Sequence, residues 1–145
     1  MILEWNDKYK TNIIEIDTQH QRLFILLANL VNLYSNNKGK LVPNVNAIKK
    51  SISELEQYAL SHFLIEERIM EENDYPDLEN HKAVHDKFTD KILEIKKLFL
   101  DENVFSDESK LDDLIKTVLS FLEAWLINHI MVQDMEYKPF IKHMP

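Results

Sequence analysis

The sequence contains no cysteine, one glycine and four prolines, and its 17 Lys and Arg residues are outnumbered by 25 Asp and Glu. Without cysteine the chain has no disulfides, no thiolate metal site and no Cys nucleophile. A lone glycine argues against an all-β fold, whose tight turns consume that residue. The net charge of −8 disfavours a nucleic-acid or anionic-membrane partner, since both want a basic face. Long apolar runs are missing too: stretches such as residues 24–28 are soon interrupted by polar residues, so no membrane span is expected. The N-terminus, Met1-Ile2-Leu3-Glu4-Trp5-Asn6-Asp7, lacks the basic start and apolar stretch of a signal peptide. These absences lead to the expectation of a cytoplasmic protein of one domain, monomeric, for which 145 residues supply an ample core.

What is present is helical periodicity between well-marked breakers. Asn36-Asn37-Lys38-Gly39 with Pro43, residues 73–76, and residues 101–106 divide the chain, and Pro139 and Pro145 punctuate its tail. Proline lacks an amide proton, and Gly or Asn suits a left-handed helix C-terminus, so helices should stop near each gap. Four apolar stripes lie between the gaps. The first is Leu23, Leu27, Leu30 and Tyr34; the second is Val45, Ile48, Ile52, Leu55, Ala59 and Ile69. The third is Leu78, Phe88, Ile92, Ile95 and Phe99; the fourth is Leu111, Leu114, Val118, Phe121 or Leu122, and Trp125. Steps of three and four residues are the seam of bundled helices. Short gaps make the neighbours antiparallel, which predicts an all-α, up-down-up-down four-helix bundle. An extended N-terminal arm of about residues 1–17 precedes a bundle of about residues 18–138, with Trp5 as the arm's anchor.

Each stripe has holes, and the holes are polar. Three residues before Leu23 is His20; His62 and Glu66 lie between Ala59 and Ile69; His81 and His85 lie between Leu78 and Phe88; His129 follows Trp125 by one turn. A single histidine on an apolar face is ordinarily a hydrogen-bonded core residue. Five of the six histidines plus a glutamate, drawn from four helices, are another matter. Each buried polar group left unsatisfied costs roughly 1–3 kcal/mol, against a net domain stability of about 5–15 kcal/mol. A metal site would use the whole set. His62 and Glu66 are one helical turn apart, as are His81 and His85, so each pair can address a common ion. Asp134 is five residues past His129, where a regular helix would rotate it by roughly 140°. The spacing leaves two alternatives: an exposed carboxylate, or an inward one made possible by a bulge between Ile130 and Gln133.

These residues resemble the hemerythrin family, in particular its prokaryotic single-domain members, the bacteriohemerythrins. The resemblance is carried by Ile16-Asp17-Thr18-Gln19-His20, His62-x-x-x-Glu66, His81-x-x-x-His85 and Trp125-Leu126-Ile127-Asn128-His129-Ile130-x-x-x-Asp134, and it runs from Trp5 to about Tyr137. It implies two non-haem iron ions with a bridging oxo or hydroxo group. His81, His85 and His129 would bind one iron, His20 and His62 the other, with Glu66 and Asp134 bridging. One departure is visible: the family often has Gly in the arm, where this chain has Thr11-Asn12-Ile13. Asn tolerates a left-handed backbone, so the arm's path can be kept.

On that ligand set, five imidazoles, two bridging carboxylates and a bridging oxygen fill eleven of about twelve octahedral positions. The vacancy falls on the iron held by His20 and His62, and the resemblance implies that dioxygen binds there reversibly, as hydroperoxide. Such a protein stores, delivers or senses oxygen and is not an enzyme. A di-iron oxidoreductase acting on peroxide or nitric oxide, and an iron-handling bundle, are the alternatives. Leu126 and Trp125 are expected to line the oxygen pocket. The sixth histidine, His143, is read as exposed and uninvolved.

Overall fold

The computed structural model describes residues 4–142, with the backbone alone for residues 132 and 133. Four long helices form where the breakers leave periodic sequence uninterrupted: α1 (Ile14–Asn36), α2 (Val45–Glu72), α3 (Leu78–Phe99) and α5 (Glu108–Asn128). They pack antiparallel as a four-helix bundle, α1 lying against α2 and α5, and α2 against α3. The single turn α4 (Glu102–Phe105) occupies the third gap, where Asp101 accepts the Asn103 N–H and caps it. A π-helical turn (His129–Gln133) and the short α6 (Asp134–Tyr137) continue α5.

The core is built from the expected stripes with one rotation. Leu23, Leu27, Leu30, Ile48, Ile52, Leu55, Phe88, Ile92, Ile95 and Phe99 are all buried. On α5 the inward residues are Leu111, Ile115, Val118, Leu119, Leu122 and Leu126, while Leu114, Phe121 and Trp125 are only partly buried. The α5 sequence is apolar over a wide arc, so periodicity alone does not choose its inward edge; packing does. By length and composition, Glu108–Phe140 could also cross a membrane, contrary to the expectation from short apolar runs. In the bundle its apolar side packs on the other helices, which accounts for that composition.

The arm differs from expectation at its end. α1 begins at Ile14, not near residue 18. From the first turn, the Asp17 carboxylate accepts the backbone N–H of Thr11 (2.7 Å) and Asn12 (3.1 Å) and the Thr11 hydroxyl (2.8 Å), tying the arm to the start of α1. Asn12 takes φ of +66°, the left-handed conformation the arm was expected to demand of it. Ahead of this turn, Trp5 packs on Tyr9 and Phe24 at ring-centroid distances of 5.6 and 5.5 Å, anchoring the arm over the His20 end of α1.

At the other end of the bundle, Glu108 ties α5 to the α1–α2 connection, accepting the N–H groups of Leu41 (2.9 Å) and Val42 (3.0 Å). Glu108→Ala would leave two amides beside the buried Leu41 without acceptors. We expect a loss of about 1–3 kcal/mol, read as a lower denaturation midpoint with unchanged dependence on denaturant.

Candidate metal centre

Each long helix delivers its polar residues to one end of the bundle. α1 supplies His20, α2 supplies His62 and Glu66, and α3 supplies His81 and His85. His129 opens the π turn and Asp134 follows it. None of the seven side chains is more than 5% exposed. The π turn is what turns Asp134 inward: the Asp134 N–H donates to the His129 carbonyl five residues back, so one extra residue is accommodated and both side chains face the same interior. Of the two alternatives left by the spacing, the inward carboxylate is the one found. His143 lies outside the described residues.

The seven heads crowd together as donor atoms around common points. His62 Nε2 lies 2.6 Å from Glu66 Oε1, and His129 Nε2 lies 2.8 Å from the same oxygen. Asp134 Oδ2 is 2.6 Å from His20 Nε2 and 3.0 Å from His129 Nε2, while its Oδ1 faces His81 Nε2 at 3.4 Å. His20 and His62 point their Nε2 atoms at each other across 3.1 Å. Two overlapping groups can each hold a cation: His20, His62, Glu66, His129 and Asp134, and Glu66, His81, His85 and His129. Glu66 and His129 belong to both. His129 therefore sits between the two groups, where the resemblance assigns it to the His81 and His85 side alone.

Hydrogen bonding among the described residues does not satisfy this cluster: His81 Nε2, both His85 nitrogens and both Asp134 oxygens are buried there without a hydrogen-bond partner. Buried polar groups are ordinarily paired, so orphaned lone pairs aimed at a shared interior fit a bound cation. The electrostatics agree. Burial and Asp134 push Glu66 up, but His62 and His129 outweigh them and hold it at about 2. Burial likewise raises Asp134, and His129 with His20 brings it well below the usual carboxylate range. Burial lowers His62 and holds His85 at about 3, so both are neutral. Burial also opposes a charge on His129, yet Asp134 and Glu66 drive it well above its ordinary value. Ionised carboxylates and neutral imidazoles are the forms that ligate metal, and the pull on His129 shows that the two carboxylates demand positive charge.

Around the cluster lie Gln19, Tyr137 and Phe63, which sequence reasoning gave no role, and Trp125, which it placed at the oxygen pocket. Gln19 Oε1 sits 2.6 Å from His62 Nδ1, and the buried Tyr137 hydroxyl donates to Glu66 Oε2 at 2.9 Å. Phe63 stacks on His85 with ring centroids 3.9 Å apart, and Trp125 on His129 at 4.6 Å. The only signal available for Gln19 was its place beside His20, and for Tyr137 its place one turn past Asp134. Trp125 and Leu126 line a small cavity with Leu23, Leu27, Leu55, Ala59, Phe88 and Leu122. The space open to the centre of a water-sized molecule there is about 10 Å³, near the size at which one small molecule fits. Among the described residues, only apolar and aromatic side chains line it.

A four-helix bundle with a buried histidine–carboxylate cluster fitted to cations is the class that fold and site define. The profile of the Hemerythrin HHE cation binding domain matches residues 11–141. The chain is 33% identical over 141 residues to bacteriohemerythrin of Stenotrophomonas maltophilia (strain R551-3), covering 97% of this chain and 82% of the relative. It is 31% identical over 135 residues to that of Clostridium acetobutylicum, covering 92% and 96%. Myohemerythrin of Riftia pachyptila is 27% identical over 134 residues, covering 92% and 89%. The chain belongs to the hemerythrin family.

Proposed function

We propose that this protein binds dioxygen reversibly at a pair of non-haem iron ions joined by an oxo or hydroxo bridge, for oxygen storage, delivery or sensing. The observation that carries the reading is the convergence of five imidazoles and two carboxylates, with orphaned lone pairs, one helical turn from a wholly apolar cavity. His81, His85 and His129 would hold one ion and His20 and His62 the other. Glu66 and Asp134 would be shared. Asp134 supports sharing by presenting Oδ2 to His20 and Oδ1 to His81, and Glu66 by belonging to both groups. When bound, the iron pair supplies two electrons and one open position, which is what reversible capture of dioxygen requires.

The protein's own part is to bind, orient and exclude water. Leu23 and Ala59, one turn from His20 and His62, line the cavity together with Trp125 and Leu126, so an apolar diatomic is accommodated on the side where the vacancy is expected. A dry wall limits proton delivery and the irreversible oxidation that follows it. Among the described residues no titratable side chain lines the cavity, which supports binding over catalysis.

The test is to reduce the iron-loaded protein without oxygen, admit oxygen and then remove it. A visible charge-transfer band should appear with oxygen and vanish on its removal. Rapid turnover of peroxide or nitric oxide with a reductant, and no reversible band, would replace this reading with an oxidoreductase.

A further inference from the structure

Gln19 is a buried amide on α1, and its Oε1 lies 2.6 Å from His62 Nδ1. An amide oxygen only accepts. The proton of neutral His62 therefore sits on Nδ1, and its lone pair on Nε2, the atom facing His20, Glu66 and His129. By contrast, among the described residues Nδ1 of His20 and of His129 is buried with no hydrogen-bond partner, and Nδ1 of His85 faces only the Glu67 carboxylate, 3.7 Å away. His62 is thus held from behind in one tautomer, and the group that holds it is uncharged. A carboxylate there would draw on the Nδ1 proton and make the ring a stronger donor to metal; an amide fixes the ring without doing so.

We propose that Gln19 is a positioning residue that fixes His62 as a neutral Nε2 ligand and thereby keeps the reduction potential of the metal pair above the value a carboxylate partner would set. Stronger donation stabilises oxidised metal. A neutral partner favours the reduced state in which oxygen is met and slows its irreversible oxidation. The inference rests on the proposed di-iron reading.

Two variants separate orientation from charge: Gln19→Leu removes the acceptor, and Gln19→Glu keeps it and adds the charge. Anaerobic Co(II) titration, followed by visible absorption, should show one of two binding steps weakened 10–100-fold in Gln19→Leu. Gln19→Glu should bind within a few-fold of wild type. In redox titration of protein carrying two irons per chain, Gln19→Glu should have a lower midpoint by about 59 mV or more, tenfold in a one-electron equilibrium. Unchanged thermal midpoints of the chelated variants assign these effects to the site. Co(II) uptake by Gln19→Leu equal to wild type, or a Gln19→Glu midpoint at or above wild type, overturns the proposal alone. A wild-type chain that takes up no Co(II) overturns the metal-centre reading and this proposal with it.

Discussion

Chelation of the metal is expected to lower the thermal unfolding midpoint by about 15 °C or more. Among the described residues, His20 Nδ1, His81 Nε2, both nitrogens of His85, His129 Nδ1 and both oxygens of Asp134 are buried without hydrogen-bond partners. A cation satisfies those that face the cluster interior and neutralises the carboxylate pair. Each buried group left unsatisfied costs roughly 1–3 kcal/mol, so even a conservative total is about 5 kcal/mol. For a domain of this size each kcal/mol shifts the midpoint by about 3 °C. Metal-binding free energy is then folding free energy, because the unfolded chain has no such site. Scanning calorimetry of loaded and chelated protein measures the shift. A chelated protein that unfolds at the same temperature would mean the cluster is satisfied without metal, and would remove the basis for the centre.

The contrast between what the sequence disclosed and what it concealed follows one physical line. Residues placed by helical period were legible: His20, His62, Glu66, His81, His85 and His129 each replace an apolar residue in a stripe, and all six are buried. From spacing alone Asp134 was legible only as a conditional, because its inward position depends on a π turn that no local propensity announces; the family resemblance is what assigned it as a ligand. Its requirement could be stated from the five-residue spacing; its existence needed the backbone. On α5, Leu114 and Ile115 are neighbours of like apolarity, and only packing in the bundle selects Ile115 for the core. The start of α1 was hidden because Asp17 reads as part of a ligand motif, while in the fold it also caps the arm's amides. Gln19 and Tyr137 were hidden for a related reason. Their importance is a matter of what they touch across helices, 43 residues away in one case and 71 in the other, and period carries no information about that.

Overlap of the two cation groups predicts that His62→Ala and Glu66→Ala will fail differently. His62 belongs to one group only, whereas Glu66 belongs to both. Removing the His62 imidazole leaves Glu66, His81, His85 and His129 intact, so about one tightly held metal per chain should remain, with a lower thermal midpoint from the underpaired carboxylates. Removing the Glu66 carboxylate takes an oxygen from each group and frees the Tyr137 hydroxyl and His129 Nε2 that it now engages at 2.9 and 2.8 Å. It also leaves Asp134 as the only carboxylate of the pair, halving the negative charge that draws cations into a low-dielectric interior. Neither metal should then be held tightly, and the loaded variant should unfold close to the chelated wild type. Metal analysis after exhaustive desalting, with calorimetry on the same samples, reads both outcomes. Two metals retained in His62→Ala would show that His62 is not needed to hold the second metal; one held firmly in Glu66→Ala would show that the groups do not share Glu66, and the centre would have to be rebuilt as two independent sites.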